Sequence, residues 1–272
     1  MKRFRRQLVW GVAGLAAASA AALWLNAHFG RALPDYGFLT GWILLAAILV
    51  LTFYNARKKL PFLPLGNSEA WLQIHIYLGF LTVLLFVIHL NFRLPRGGFE
   101  IALAWLFVLV AGSGMVGLLF SRVLPRRLAT RGGEVIYEAI PALRHSLRTE
   151  AEKLAAGPEA TSPVIAEFYA RRLSGFFGGR GNGWLHLAES RRRLNALLAE
   201  IEDVRRTGNE AERATLERLA LLVRQKDSLD YHRSLQLALK LWLFVHIPLT
   251  YGLLVFIALH IVLVFGFSGG AR

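Results

Sequence analysis

Four histidines lie inside two long apolar stretches. His75 and His89 stand in WLQIHIYLGFLTVLLFVIHLNF, and His246 and His260 in LWLFVHIPLTYGLLVFIALHIVLVF, each pair fourteen residues apart. An ionisable side chain in a bilayer core is costly, and where one occurs it tends to mark a site. On a helix, fourteen residues fall ~40° short of four turns and cover ~21 Å of axis, so each stretch presents two imidazoles on nearly one face. If the apolar run between them crosses once, the two helices run parallel. His75 is then level with His246, and His89 with His260.

Two facing imidazoles at each of two depths limit the chemistry. Zinc normally takes three or four protein ligands, and a hard cation wants carboxylates. The apolar interiors contain no Asp or Glu; Asp35, Glu69 and Glu100 lie at their edges. A haem iron already has its ring nitrogens and lacks only two axial ligands, which a pair of histidines completes. We therefore read His75, His89, His246 and His260 as axial ligands to the iron of two non-covalent b-type haems. No catalytic side chain is assigned. The competing reading, four core histidines hydrogen-bonding between helices, gives no reason for the same spacing to occur twice.

Other residues lend weaker support. Arg93, four residues after His89, is expected on nearly the same face as a haem-propionate partner at the outer surface. Arg122, Arg126 and Arg127 are candidates for the inner propionates, or a plain topology signal. Gly11, Gly14, Gly79, Gly112, Gly114 and Gly117 would let a flat macrocycle approach the backbone, or simply let helices pack closely. Lys240 reads as a snorkelling side chain. Pro248 suggests a modest kink beside His246. His28, His145, His186 and His232 have no partners at metal spacing and read as surface or core residues.

The elements that must position these groups follow from composition. Of 272 residues, 55% are hydrophobic and 18% charged, more apolar than a soluble domain needs. Runs at 8–29, 36–54, 71–92, 100–121 and 237–267 each approach the ~20 residues that a spanning helix requires. Backbone groups cannot stay unpaired in lipid, and no run alternates like a barrel strand, so the expected fold is an all-α integral membrane bundle of five spans. The start, MKRFRR followed by an apolar run and small residues, also resembles a signal peptide; we expect an uncleaved first span.

The expected division is 1–121 for four spans, 122–235 for a cytoplasmic helical insertion and 236–272 for the fifth span. Lysine and arginine cluster in 1–6, 55–70 and 122–235, against Arg31, Arg93, Arg96 and Arg272 on the opposite side. Positive charge marks the cytoplasmic side. The N-terminus is thus expected inside, the C-terminus outside, in a bacterial inner membrane. The overall +14 charge lies between apolar runs, and the insertion's 20 basic against 15 acidic residues leave only +5, so no nucleic-acid partner is expected. Without cysteine the chain supplies no thiolate iron–sulfur cluster or covalent haem. Within the insertion, apolar spacing predicts helices over 184–206 and 210–235. Thr207-Gly208-Asn209 separates them, and Asn209 with Glu212 forms a capping box. A further helix is expected over 134–156, entered near Pro141, and a flexible loop over 174–183.

At the four histidines the chain resembles the transmembrane di-haem cytochromes b. Ligands on the third and fifth spans look most like the ferric reductase and NADPH oxidase membrane domain; equal fourteen-residue spacings are similar to cytochrome b of the quinol-oxidising bc complexes. The resemblance covers the spans only, and implies electron transfer across the bilayer with His75, His89, His246 and His260 as ligands. There are five spans instead of six, no flavin or nicotinamide domain after the last, and no Pro-Glu quinol-oxidation motif. The expectation is an electron-transfer subunit of an oxidoreductase complex, with redox protein partners carrying other centres, rather than a self-sufficient enzyme. Two alternatives stay open. One is a quinone-reacting membrane subunit using Asp35, Tyr36, His28 or Glu100; the other is a non-haem metal or proton transporter.

Overall fold

The computed structural model describes residues 2–30, 32–33, 35–59, 68–129, 135–156, 162–179, 183–188 and 190–268. Residues 60–67 of the 55–70 connection, part of the Gly-rich loop at 180–182, and Arg31 and Arg272 of the orientation argument lie outside them. Among the described residues every regular element is helical. Five helices are long and apolar enough to cross a bilayer, the architecture of a multi-pass membrane protein. Two compact units form, residues 1–118 with 243–272, and residues 119–242. These boundaries depart from the expected 121/122 and 235/236. Two helices, one beginning near residue 98 and one near 210, run on past the apolar stretches that defined the division.

The first unit contains α1 (Lys2–Phe29), α2 (Tyr36–Lys59), α3 (Ser68–His89), most of α4 (Gly98–Leu128) and the end of a later helix, Glu210–Ser268. Its centre is small: Leu44 and Ile48 of α2, Phe107 of α4 and Leu253 of the last helix. Aromatic pairs extend it, with Phe86 stacked on Phe107 at 4.1 Å and Phe99 on Phe256 at 5.6 Å. Trp105 and Val262 remain more than half exposed, as outward faces of helices meeting lipid would be. Gly11 of α1 lies against Tyr77 of α3, where a Cβ would come within 2.4 Å of the ring. Gly11 therefore serves helix packing rather than a macrocycle. Substitution by leucine is expected to force α1 off α3, read as lost cross-linking between cysteines placed on the two helices.

α3 stops at His89, three residues short of the expected end at 92. The Asn91 amide donates to Ile88 O at 2.8 Å and the Phe92 amide to Val87 O at 3.1 Å, the paired bonds of a Schellman ending. Asn91 has φ 50° and Phe92 φ 55°. Asparagine tolerates that left-handed conformation; a bulky phenylalanine rarely adopts it.

The second unit holds α5 (Ile140–Ala156), α6 (Pro163–Phe168), α7 (Ser174–Gly178), α8 (Gly183–Leu187), α9 (Arg192–Thr207) and the first part of α10 (Glu210–Ser268). Proline at the first turn and the Ser162 hydroxyl, which accepts from the Val164 amide, start α6. A π-helical turn, Tyr169–Leu173, links α6 to α7. The core gathers Leu173, Phe176, Phe177, Ile201, Leu216, Leu219 and Val223.

Two expectations need correction here. The stretch from 174 opens as a helix, because Phe176 and Phe177 are buried. The helix expected over 184–206 is broken between Leu187 and Arg192. The hairpin's second helix leads into the fifth span as expected, the two forming one uninterrupted element, α10, which contains Pro248.

The cap between α9 and α10 forms as the spacing requires: the Asn209 amide donates to Glu212 Oε2 at 2.8 Å, and the Glu212 amide to Asn209 Oδ1 at 2.9 Å. Replacing Asn209 with alanine should cost ~1 kcal/mol locally. Faster hydrogen exchange at the Glu212 amide would register it.

One group of charges is buried in this unit. Asp230 lies 2.5 Å from Lys226 and 3.0 Å from Arg144 Nε. The Gly179 carbonyl accepts from Arg144 Nη2 at 2.6 Å and Lys226 Nζ at 3.3 Å, and Phe176 lies 4.4 Å below the ammonium. Burial pushes the Lys226 amine down from its ordinary pKa, while Asp230 opposes the shift.

Candidate functional site

All four span histidines belong to the first unit and all are half-buried. His89 and His260 meet directly. Their ring centres are 6.4 Å apart and the planes nearly perpendicular at 89°. Two imidazoles sharing one metal through bonds of ~2.0 Å, with each ring centre ~1.1 Å beyond its nitrogen, would sit ~6 Å apart. An edge-to-face pair without metal can have the same spacing.

What the other ring nitrogen does separates these possibilities. His89 Nδ1 lies 3.2 Å from Thr40 Oγ1, and that hydroxyl donates its one hydrogen to Gly37 O at 2.9 Å. The oxygen is left to accept, so Nδ1 carries the proton and Nε2 keeps its lone pair. His246 repeats the arrangement on other helices. Its Nδ1 is 2.7 Å from Ser113 Oγ, which donates to Val110 O at 2.8 Å. His75 Nδ1 is 3.2 Å from Leu51 O, a carbonyl that can only accept, and the Tyr54 ring lies beside it at 5.1 Å. Three histidines from two helices thus turn Nδ1 toward an oxygen of a neighbouring helix. Metal-bound histidines commonly donate their other N–H in this way.

The glycines next to the hydroxyls complete the seats. A Cβ on Gly41 would lie 3.0 Å from His89 Cε1; one on Gly114 would lie 3.8 Å from His246 Cε1. At Gly79 and Gly112 a Cβ would meet nothing within 4 Å. Neither Thr40, Leu51, Ser113 nor Gly41 was legible as a site residue from histidine spacing, because each lies on a different helix from the imidazole it touches. Among the described residues no three or more His, Cys, Asp or Glu converge as a metal-binding group. His89 and His260 stand as a pair, the number of protein ligands that a haem requires and fewer than a tetrahedral zinc site takes.

The supporting residues change more. Arg93 lies beyond the end of α3, past two residues of left-handed backbone, so its expected place on the His89 face does not exist. It is exposed, with its amide bonded to Leu90 O. Lys240 does not reach alone toward a surface: it pairs with Glu138 at 2.7 Å and lies over the Tyr137 ring at 3.9 Å. Hydrogen bonding from Lys240 holds the Glu138 carboxyl below its usual pKa. Arg127 donates to Leu187 O at 2.9 Å within the second unit, while Arg122 and Arg126 are exposed. His28 and His145 are exposed, and His186 and His232 are buried in single positions of their helices. No protein-family model matches the chain, and neither curated proteins nor solved structures return a match.

Proposed function

We propose that the chain is a di-haem b-type cytochrome that relays electrons across the bilayer as a subunit of a redox complex. His89 and His260 hold one haem, and His75 and His246 the other. The observation that carries this reading is the approach of His89 to His260 at 6.4 Å, together with Nδ1 contacts from neighbours on α2 and α4 to three of the imidazoles, which orient the rings. Bound haem iron supplies reversible one-electron transfer. The chain's own part is to supply four nitrogens, orient them and surround them with apolar helices that keep water away. Arg93, exposed just past His89, is retained as a propionate partner on its proximity in the chain alone.

This extends the resemblance to the di-haem cytochromes b into a role, with an inside N-terminus following from the charge distribution, a bacterial inner membrane from the Arg-, Ala- and Leu-rich composition, and a docking function for the second unit from its size and placement. Electron transfer through the complex rather than self-sufficient catalysis is the expected activity. In proteoliposomes loaded with ferricyanide, external dithionite should bleach the trapped oxidant only when the protein is present. Equal rates with and without protein would refute transmembrane relay.

A further inference from the structure

Both Ser/Thr-Gly dipeptides within the five apolar runs touch a histidine. Thr40-Gly41 lies on α2 against His89, and Ser113-Gly114 lies on α4 against His246. The other span threonines bond back to their own helix, Thr52 to Ile48 O, Thr82 to Gly79 O and Thr250 to His246 O. Thr40 and Ser113 make the same backward bond, and it has a consequence there. The hydrogen spent on the carbonyl turns the hydroxyl into an acceptor facing Nδ1.

We propose that Thr40-Gly41 and Ser113-Gly114 are matching positioning elements, one per haem, in which the hydroxyl fixes the ligand's tautomer and raises its basicity while the glycine gives room to the Cε1 edge. The proposal rests on the di-haem reading. A more basic imidazole favours the ferric state, so each hydroxyl holds down the reduction potential of its own haem. The Ser113 contact, at 2.7 Å against 3.2 Å for Thr40, exerts the larger effect. The glycines differ in the opposite sense. At 3.0 Å the His89 ring must give way to a methyl on residue 41, whereas 3.8 Å at residue 114 is ordinary contact.

The test uses the full chain, purified with its haem, and four variants: Thr40→Val, Ser113→Ala, Gly41→Ala and Gly114→Ala. Haem per chain is measured first, then potentiometric midpoints and the low-spin electron paramagnetic resonance signals. Thr40→Val should raise one midpoint and Ser113→Ala the other. The expected change is about threefold to tenfold in the ferric–ferrous equilibrium, or ~30–59 mV for one electron. Gly41→Ala should alter one haem's resonance, and Gly114→Ala neither. Should a valine or alanine variant lose its haem, Thr40→Ser or Ser113→Thr must retain it; loss in both would show that volume rather than the hydroxyl matters and would overturn the proposal. Full haem content with unchanged midpoints would also overturn it and leave the di-haem reading intact. Wild-type protein without haem would remove both.

Discussion

Alanine at His89 or His260 is expected to lower bound haem from ~2 to ~1 per chain, because one axial nitrogen cannot replace a pair. Alanine at His75 or His246 should do the same to the other haem. The losses should pair off: His89→Ala combined with His260→Ala still leaves ~1 haem, whereas His89→Ala with His246→Ala leaves ~0. The pairing comes from the 6.4 Å approach of His89 to His260 and from the equal spacing on the two helices. Alanine at exposed His28 or His145 should change neither haem. Pyridine haemochrome assays on purified variants would check the series. Equal retention of haem by all of them would contradict the ligand assignment.

The second large effect concerns the soluble-type core of the other unit. Asp230 is the carboxylate between Lys226 and Arg144, and both it and Lys226 are almost wholly buried. Removing one partner of a buried ion pair leaves an uncompensated charge and costs ~3–5 kcal/mol. Asp230→Asn should therefore destabilise the second unit by about that amount. The core amides of Leu216, Leu219 and Val223 should exchange faster in the intact protein. Replacing Arg144, Lys226 and Asp230 together with methionine should cost far less, since no charge is then stranded. A cost below ~0.5 kcal/mol for Asp230→Asn would show that the Gly179 carbonyl and Phe176 suffice to hold the cations.

Much of the architecture is legible from periodicity and length alone. Each of the five apolar runs contributes to a helix long enough to span, and the Asn209–Glu212 cap forms where its spacing places it. These are local signals, carried by residues a turn or less apart. The errors come where contacts between distant residues decide. A Gly-rich stretch looks like a loop until Phe176 and Phe177 find the core. Arg93 looks like a residue on the His89 face until the Schellman ending takes the chain out of the helix. Lys240 finds Glu138, 102 residues away in the chain.

The candidate site divides in the same way. The two histidine pairs are visible because the same fourteen-residue spacing occurs in two separate apolar runs. The groups that set their tautomer are hidden, because a threonine beside a glycine has no meaning until another helix brings an imidazole to it. The back-bonded hydroxyl, common in apolar helices, gains a role only through that contact.

Whether the four imidazoles bind haem at all is answered by one preparation. The full-length protein, expressed in haem-replete cells and purified in mild detergent, is scored by a reduced-minus-oxidised spectrum and a pyridine haemochrome assay against protein concentration. The account predicts b-type bands and ~2 haems per chain. A colourless protein that also fails to take up added haemin would contradict it, and would leave His89 and His260 as an edge-to-face pair between helices.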